Sequence, residues 1–251
     1  MHRRVGIVGV PPLSVIRKIH EERFEIIDLD EPQVREPIDL TAPYLPRVYC
    51  AVLRTVVLNA MHLDLDEIFI DVGPGKCDCA LHVATILDDM LEVPITRTRN
   101  QDMENFGYPI SRSQVPLLDK LLAITRGVQS TAPYKPLESC RPAAGFWGVP
   151  PRDFSILSLF PDTTHVYGWT RCMENKTPAN LQLEAHVNLE VPTVFFAQSF
   201  CAKTALAKHL ADRHPRALYL DCDVTAGSST RAKIEAFLEL SGVKTTDREA
   251  R

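Results

Sequence analysis

No apolar run in the chain approaches the ~20 residues that a membrane-spanning helix needs, so a bilayer-embedded protein is not expected. Charge of one sign is also lacking. Twenty-eight basic against 32 acidic residues leave a formal net charge of -4, without the basic footprint of a nucleic-acid or anionic-membrane partner. There is no Cys-x-x-Cys pair, so the usual structural zinc spacings are missing. His165, His186, His209 and His214 show no spacing that marks a catalytic dyad. At Ala197-Gln198-Ser199-Phe200-Cys201-Ala202-Lys203-Thr204, spaced like a phosphate-binding loop, both required glycines are alanine. Such a backbone does not readily turn its N–H groups onto phosphates, and nucleotide hydrolysis is not expected. Met1-His2-Arg3-Arg4 is basic, but Val5 to Val10 is too short for the apolar core of a secretion signal and Pro11-Pro12 ends it. The expected location is the cytoplasm.

Cysteine, in contrast, is plentiful: Cys50, Cys77, Cys79, Cys140, Cys172, Cys201 and Cys222. An odd count with no secretion signal argues against a disulfide framework. Buried apolar thiols, metal ligands and reactive thiolates are the roles left.

Periodicity gives alternating strands and helices, the pattern of a parallel α/β sheet. Strands are expected at 5–10, 24–29, 67–72 and 93–98. Helices are expected at 13–22, 48–61, 80–91 and 115–124, and residues 30–46, with four prolines, form a long irregular connection. Cys50 falls inside the helix at 48–61 and reads as a core thiol. Residues 127–144 carry Pro133, Pro136 and Pro142 and read as a linker. Beyond it, strands are expected at 145–149, 165–169, 193–197 and 217–221, with helices at 153–160, 179–189, 202–212 and 229–240.

Two echoes join the halves. Gly6-Ile7-Val8-Gly9-Val10-Pro11-Pro12 and Gly145-Phe146-Trp147-Gly148-Val149-Pro150-Pro151 share the form G-x-x-G-V-P-P. Leu91-Glu92-Val93-Pro94 is repeated at Leu189-Glu190-Val191-Pro192 with a different offset. The expected architecture is two Rossmann-like βα lobes with mostly parallel sheets, at 1–130 and 140–245, allowing an internal duplication.

The chemistry is sought in the thiols. Cys172, Cys201 and Cys222 each follow a strand candidate, and in a parallel sheet all carboxyl ends share one edge, where α/β proteins build their sites. Cys77-Asp78-Cys79 sits after a strand at a helix start, where free N–H groups favour a thiolate. One cysteine per βα unit is similar to the arrangement in multi-lobed α/β iron–sulfur enzymes such as quinolinate synthase and the 2-hydroxyacyl-CoA dehydratases. That resemblance implies a [4Fe–4S] cluster held by cysteines from separate units.

The expected ligands are drawn from Cys77, Cys79, Cys140, Cys172, Cys201 and Cys222. They would line an interlobe site for an iron–sulfur cluster or another thiolate-bound metal, in an enzyme or a metallocofactor assembly factor. Arg97 and Arg99 would hold a small anionic partner, and a homo-oligomer is compatible with this reading. Two other functions stand beside it. Two-lobed racemases of the aspartate/glutamate type are similar in length and place one cysteine on each side of a substrate carbon. Cys79 and Cys201 can pair in that manner, although the Cys-Asn-Thr surroundings of that family are missing. The third is a non-catalytic scaffold with core cysteines.

Overall fold

A computed structural model describes residues 3–103, 109–132, 137–148 and 154–243. Val149, Pro150 and Pro151 of the second G-x-x-G-V-P-P, Pro133 and Pro136 of the expected linker, and the tail from residue 244 lie outside the described residues.

The first half runs β1 (Arg4–Val8), α1 (Leu13–Glu21), β2 (Glu25–Asp28), α2 (Ala51–His62), β3 (Glu67–Asp71), α3 (Asp78–Met90) and β4 (Ile95–Thr98). All its strand pairs are parallel, in the order β2-β1-β3-β4. After α4 (Leu117–Gly127) come β5 (Gly145–Gly148), β6 (His165–Tyr167), α5 (Trp169–Asn175), α6 (Leu181–Ala185), β7 (Thr193–Gln198), α7 (Thr204–Arg213), β8 (Ala217–Cys222) and α8 (Ser228–Leu240). Their sheet is again all parallel, in the order β6-β5-β7-β8. The α/β class is therefore as expected, and both sheets have one topology: the first strand in the middle, the second outside it, the third and fourth on its other flank.

That topology separates the two echoes. The G-x-x-G motifs lie on β1 and β5, which hold the same place in their sheets, and Gly9 and Gly148 both take a positive φ, +77° and +137°. The Leu-Glu-Val-Pro echo precedes β4 in one sheet and β7 in the other, and those places are not equivalent. It reflects only that short apolar strands have similar entrances.

Contacts divide the chain into two units. One comprises Met1–Asn105, Arg126–Pro133 and Lys176–Asn180; the other comprises Phe106–Thr125, Tyr134–Asn175 and Leu181–Arg251. The boundary is not one linker: most of α4 belongs to the second unit, and five residues after α5 return to the first.

The first core is built from aliphatic side chains of the sheet and of α2 and α3, including Ile68, Ile70, Val56, Val57, Val83 and Leu87. The second has an aliphatic and aromatic layer around Phe146, Phe160 and Phe196. Trp147, Tyr167 and Phe195 face the other way, onto α7. Alternation along β5 and β7 produces these two faces.

Three expected elements differ. The helix expected at 179–189 is only Leu181–Ala185. The helix expected at 153–160 is a 3-10 turn, Phe154–Leu159. The strand expected at 165–169 stops at Tyr167 because Gly168 turns with φ +83°, so Trp169 opens helix α5. Among the described residues no helix is long and apolar enough to cross a membrane.

Candidate functional site

The cysteines scatter. Cys50 is at the N-cap of α2 rather than inside it, packed against the first core. Cys77 is the exposed N-cap of α3. Cys79 packs on the first core, and its thiol is pushed up, first by burial and then by Cys77, so the helix start does not prevail there. In the second unit Cys172 is fully buried in α5 rather than in a βα loop. Cys222, the last residue of β8, joins the second core, with Sγ 3.5 Å from Thr230 Oγ1 on α8. Cys201 lies in the turn after β7. Cys140 lies elsewhere: its Sγ is 3.9 Å from the Thr163 carbonyl and 3.8 Å from His165 Nε2, at the start of β6. Cys140 is thus at the amino edge of the sheet whose carboxyl edge precedes Cys201. Among the described residues no group of three or more His, Cys, Asp or Glu side chains could hold a metal ion. Arg97 pairs at the surface with Asp88 of α3 at 3.2 Å, and Arg99 is exposed beyond β4.

At the carboxyl edge of the second sheet, described groups bond to one another. Lys203 Nζ lies 2.7 Å from both carboxylate oxygens of Glu184 and 4.7 Å from the centre of the Trp169 ring. The Thr204 hydroxyl donates to the Gln198 carbonyl at 3.0 Å. The lysine and threonine of the would-be phosphate loop are thus engaged internally.

At the other edge a polar cluster assembles. Ile110–Arg112 forms a 3-10 turn. Ser113 pairs antiparallel with Ser139, and Cys140 N–H donates to the Arg112 carbonyl at 2.9 Å. This short ladder sets Arg112, exposed, beside Cys140, half-buried. His165 Nε2 is 3.0 Å from the Cys140 carbonyl, and a carbonyl only accepts, so this nitrogen carries the proton and is a donor toward the nearby sulfur. Burial pushes the His165 imidazole down, against its backbone bonds to Cys140 and Arg112.

Behind them lies Lys120 of α4, with no exposed surface, its ammonium 2.8 Å from the Asp162 carbonyl and 2.5 Å from that of Thr164. Burial lowers it to about 8, against the attraction of Cys140, Asp162 and Glu174. Glu174, also fully buried, accepts the Ser111 N–H at 3.0 Å and pairs with Arg171, which in turn donates to the Ser111 hydroxyl. Burial raises Glu174, and the Arg171 guanidinium, which does not lose its proton in proteins, opposes it. Glu174 serves this cluster, whereas the Lys176 ammonium donates to the Ser130 carbonyl in the first unit.

The first unit carries a polar cluster of its own, at the carboxyl ends of β1, β2 and β3. Gly9 N–H donates to Asp30 at 2.8 Å, Asp30 N–H donates to Asp28 at 2.9 Å, and Lys76 lies 3.2 Å from Asp71. Burial first, then neighbouring acids, raise Asp28 well above the usual carboxylate range; burial raises Asp30, with Gly9 and Lys76 opposing. An acid raised by folding holds its proton longer in the native state. Its contribution is favourable below the unfolded value and is lost as pH rises through the folded one. Asp28→Asn, which still accepts the Asp30 N–H, is therefore expected to stabilise the protein at pH 7 by on the order of 1 kcal/mol or more, and much less near pH 4. Urea unfolding at the two pH values reads this, and equal effects at both would contradict it.

No protein-family model matches the chain, and no curated protein does. Among solved structures, that of MenH from S. aureus aligns over 96% of this chain and 94% of its own, at 12% identity and a TM-score of 0.22. So low a score carries no argument about fold or activity.

Proposed function

We propose that the protein binds a small anionic molecule in its second unit and acts on it through the thiol of Cys140. The carrying observation is the 3.8 Å approach of Cys140 Sγ to the protonated nitrogen of His165, with the Lys120 ammonium buried behind them and Arg112 exposed beside them. Each residue has a role that follows from its place. Arg112 attracts and orients the anion. Cys140 is the nucleophile, and the His165 N–H stabilises negative charge on sulfur. Lys120 supplies a positive charge that water does not screen. Arg171 and Glu174 hold the Ile110–Arg112 turn through Ser111.

Anionic and neutral alkylating agents separate this reading from an inert surface thiol. Iodoacetate is drawn by the local cations and iodoacetamide is not. The iodoacetate-to-iodoacetamide rate ratio at Cys140 is expected to exceed that at exposed Cys77, which has Asp78 beside it, by roughly tenfold or more. Arg112→Gln should remove most of the difference. Equal ratios at the two thiols would refute the proposal.

Iron–sulfur ligation is the second reading, favoured by one observation: Cys172 and Cys201 both follow strands of one parallel sheet, β6 and β7. Its test is the absorption spectrum of protein purified without oxygen. A brown chromophore lost in Cys172→Ala or Cys201→Ala would favour the cluster over the thiol site.

A further inference from the structure

A cleft of about 680 Å³ opens beside Cys140. Its walls come from the segments that precede all four strands of the second sheet: Arg141 before β5, Thr163 before β6, Asn188 and Glu190 before β7, and Arg216 before β8. It is therefore an amino-edge cleft. Open α/β sheets ordinarily bind ligands at the carboxyl edge. In this sheet the carboxyl-edge groups bond to one another, as Lys203 does with Glu184 and Thr204 with Gln198, and the polar cleft lies opposite. Cys140 adjoins two of its lining residues, as chain neighbour of Arg141 and with its sulfur 3.9 Å from the Thr163 carbonyl.

We propose that this cleft binds a compact dianion, a phosphate or dicarboxylate group, between Arg141 and Arg216. Both guanidinium groups are exposed, and among the described residues no carboxylate lies within ion-pair distance of either. One acid, Glu190, lines the cleft against two arginines, so a doubly charged anion meets a net attraction. Arginine is also the side chain suited to grip planar or tetrahedral oxyanions with two parallel N–H groups.

Two of the walls are tied together. His214, 6% exposed, lies between two of them: Arg216 N–H donates to its Nδ1 at 3.1 Å, and its Nε2 donates to the Asn188 carbonyl at 3.1 Å. One imidazole thus ties the backbone before β8 to the backbone before β7. Asn188 Oδ1 in turn accepts the Glu190 N–H at 2.9 Å, which leaves the Asn188 amide N–H₂ as a further donor for the anion. The proposal rests on the thiol-site reading only for what the bound anion is for: its charged end sits in the cleft while its reactive part reaches Cys140.

The test is calorimetric titration of the full chain with inorganic phosphate and, separately, with succinate. Saturable binding of either is expected, weakened at least tenfold by Arg141→Gln and by Arg216→Gln. Absence of binding of both up to about 10 mM, where even millimolar affinity registers, would overturn the proposal. So would binding that both arginine variants leave intact. Because the readout does not involve the thiol, the two claims fail separately. Arginine-dependent binding with equal alkylation ratios at Cys140 and Cys77 keeps the cleft and removes the thiol chemistry.

Discussion

Gly148→Ala is expected to abolish folding of the second unit or to cost more than about 4 kcal/mol. Gly148 ends β5, in register with Phe196 of β7. Its φ is +137°, and a Cβ built on it would lie 1.9 Å from the Phe196 carbonyl oxygen. Both objections concern backbone, so no side-chain rotation relieves them. Domains are stable by roughly 5–15 kcal/mol in total, and a clash in the middle of a sheet consumes most of that. The control is Gly227→Ala at the N-cap of α8, where φ is -72° and nothing lies within 4 Å of the added carbon. There only the preference of caps for glycine over alanine is lost, about 1 kcal/mol or less. Soluble yield, near-UV circular dichroism and urea midpoints distinguish the two. A Gly148→Ala protein as stable as Gly227→Ala would mean that β5 and β7 are not paired in this register.

The same glycine explains why the fold was legible. G-x-x-G-V-P-P specifies a backbone, and backbone requirements survive when side chains diverge. Gly9 and Gly148 both take a positive φ, in two sheets of one strand order. The turn after the third strand repeats as well: Lys76 N–H bonds the Gly73 carbonyl and Cys201 N–H bonds the Gln198 carbonyl, with Gly75 at φ +76° and Phe200 at +65° in the matching positions. No sequence pattern announces that equivalence, because one turn uses glycine and the other forces a phenylalanine into the left-handed region. Leu-Glu-Val-Pro, in contrast, is a side-chain pattern that any helix-to-strand entrance can produce, and it led to strands in unlike places.

The candidate site was less legible, for two physical reasons. Whether a thiol after a strand stands on the carboxyl edge depends on where that strand ends, to within one or two residues. Gly168 stopped β6 earlier than expected, and that carried Cys172 from a loop into the second turn of a helix. Even a correct strand end does not fix a face, and Cys222 shows this by turning toward α8. The residues around Cys140 gave no local signal at all. Lys120 stands in Leu117-Leu118-Asp119-Lys120-Leu121-Leu122, which reads as an amphipathic helix with the lysine in water. Its partners are two carbonyls of a loop more than forty residues later. Glu174 and Ser111 are 63 positions apart.

Lys120 itself is expected to give the protein a rising stability between pH 7 and 9 that Lys120→Met lacks. The ammonium is held at about 8 in the native state against a reference value of 10.5, chiefly by burial. A base lowered by folding binds fewer protons when native than when unfolded, so stability increases with pH between the two values. With those two values the increase from pH 7 to pH 9 is about 1.3 kcal/mol. Methionine keeps the length of the stem and removes the titration. It also leaves the Asp162 and Thr164 carbonyls without their donor, at about 1–3 kcal/mol for each unsatisfied group, offset in part because no charge is then buried. The sign of the net change at pH 7 depends on that balance, whereas the pH slope does not. Guanidinium unfolding of both proteins at pH 7, 8 and 9 therefore reads the slope difference directly. Parallel curves would place the Lys120 ammonium in water rather than against the two carbonyls. They would also remove the buried positive charge that the Cys140 site relies on.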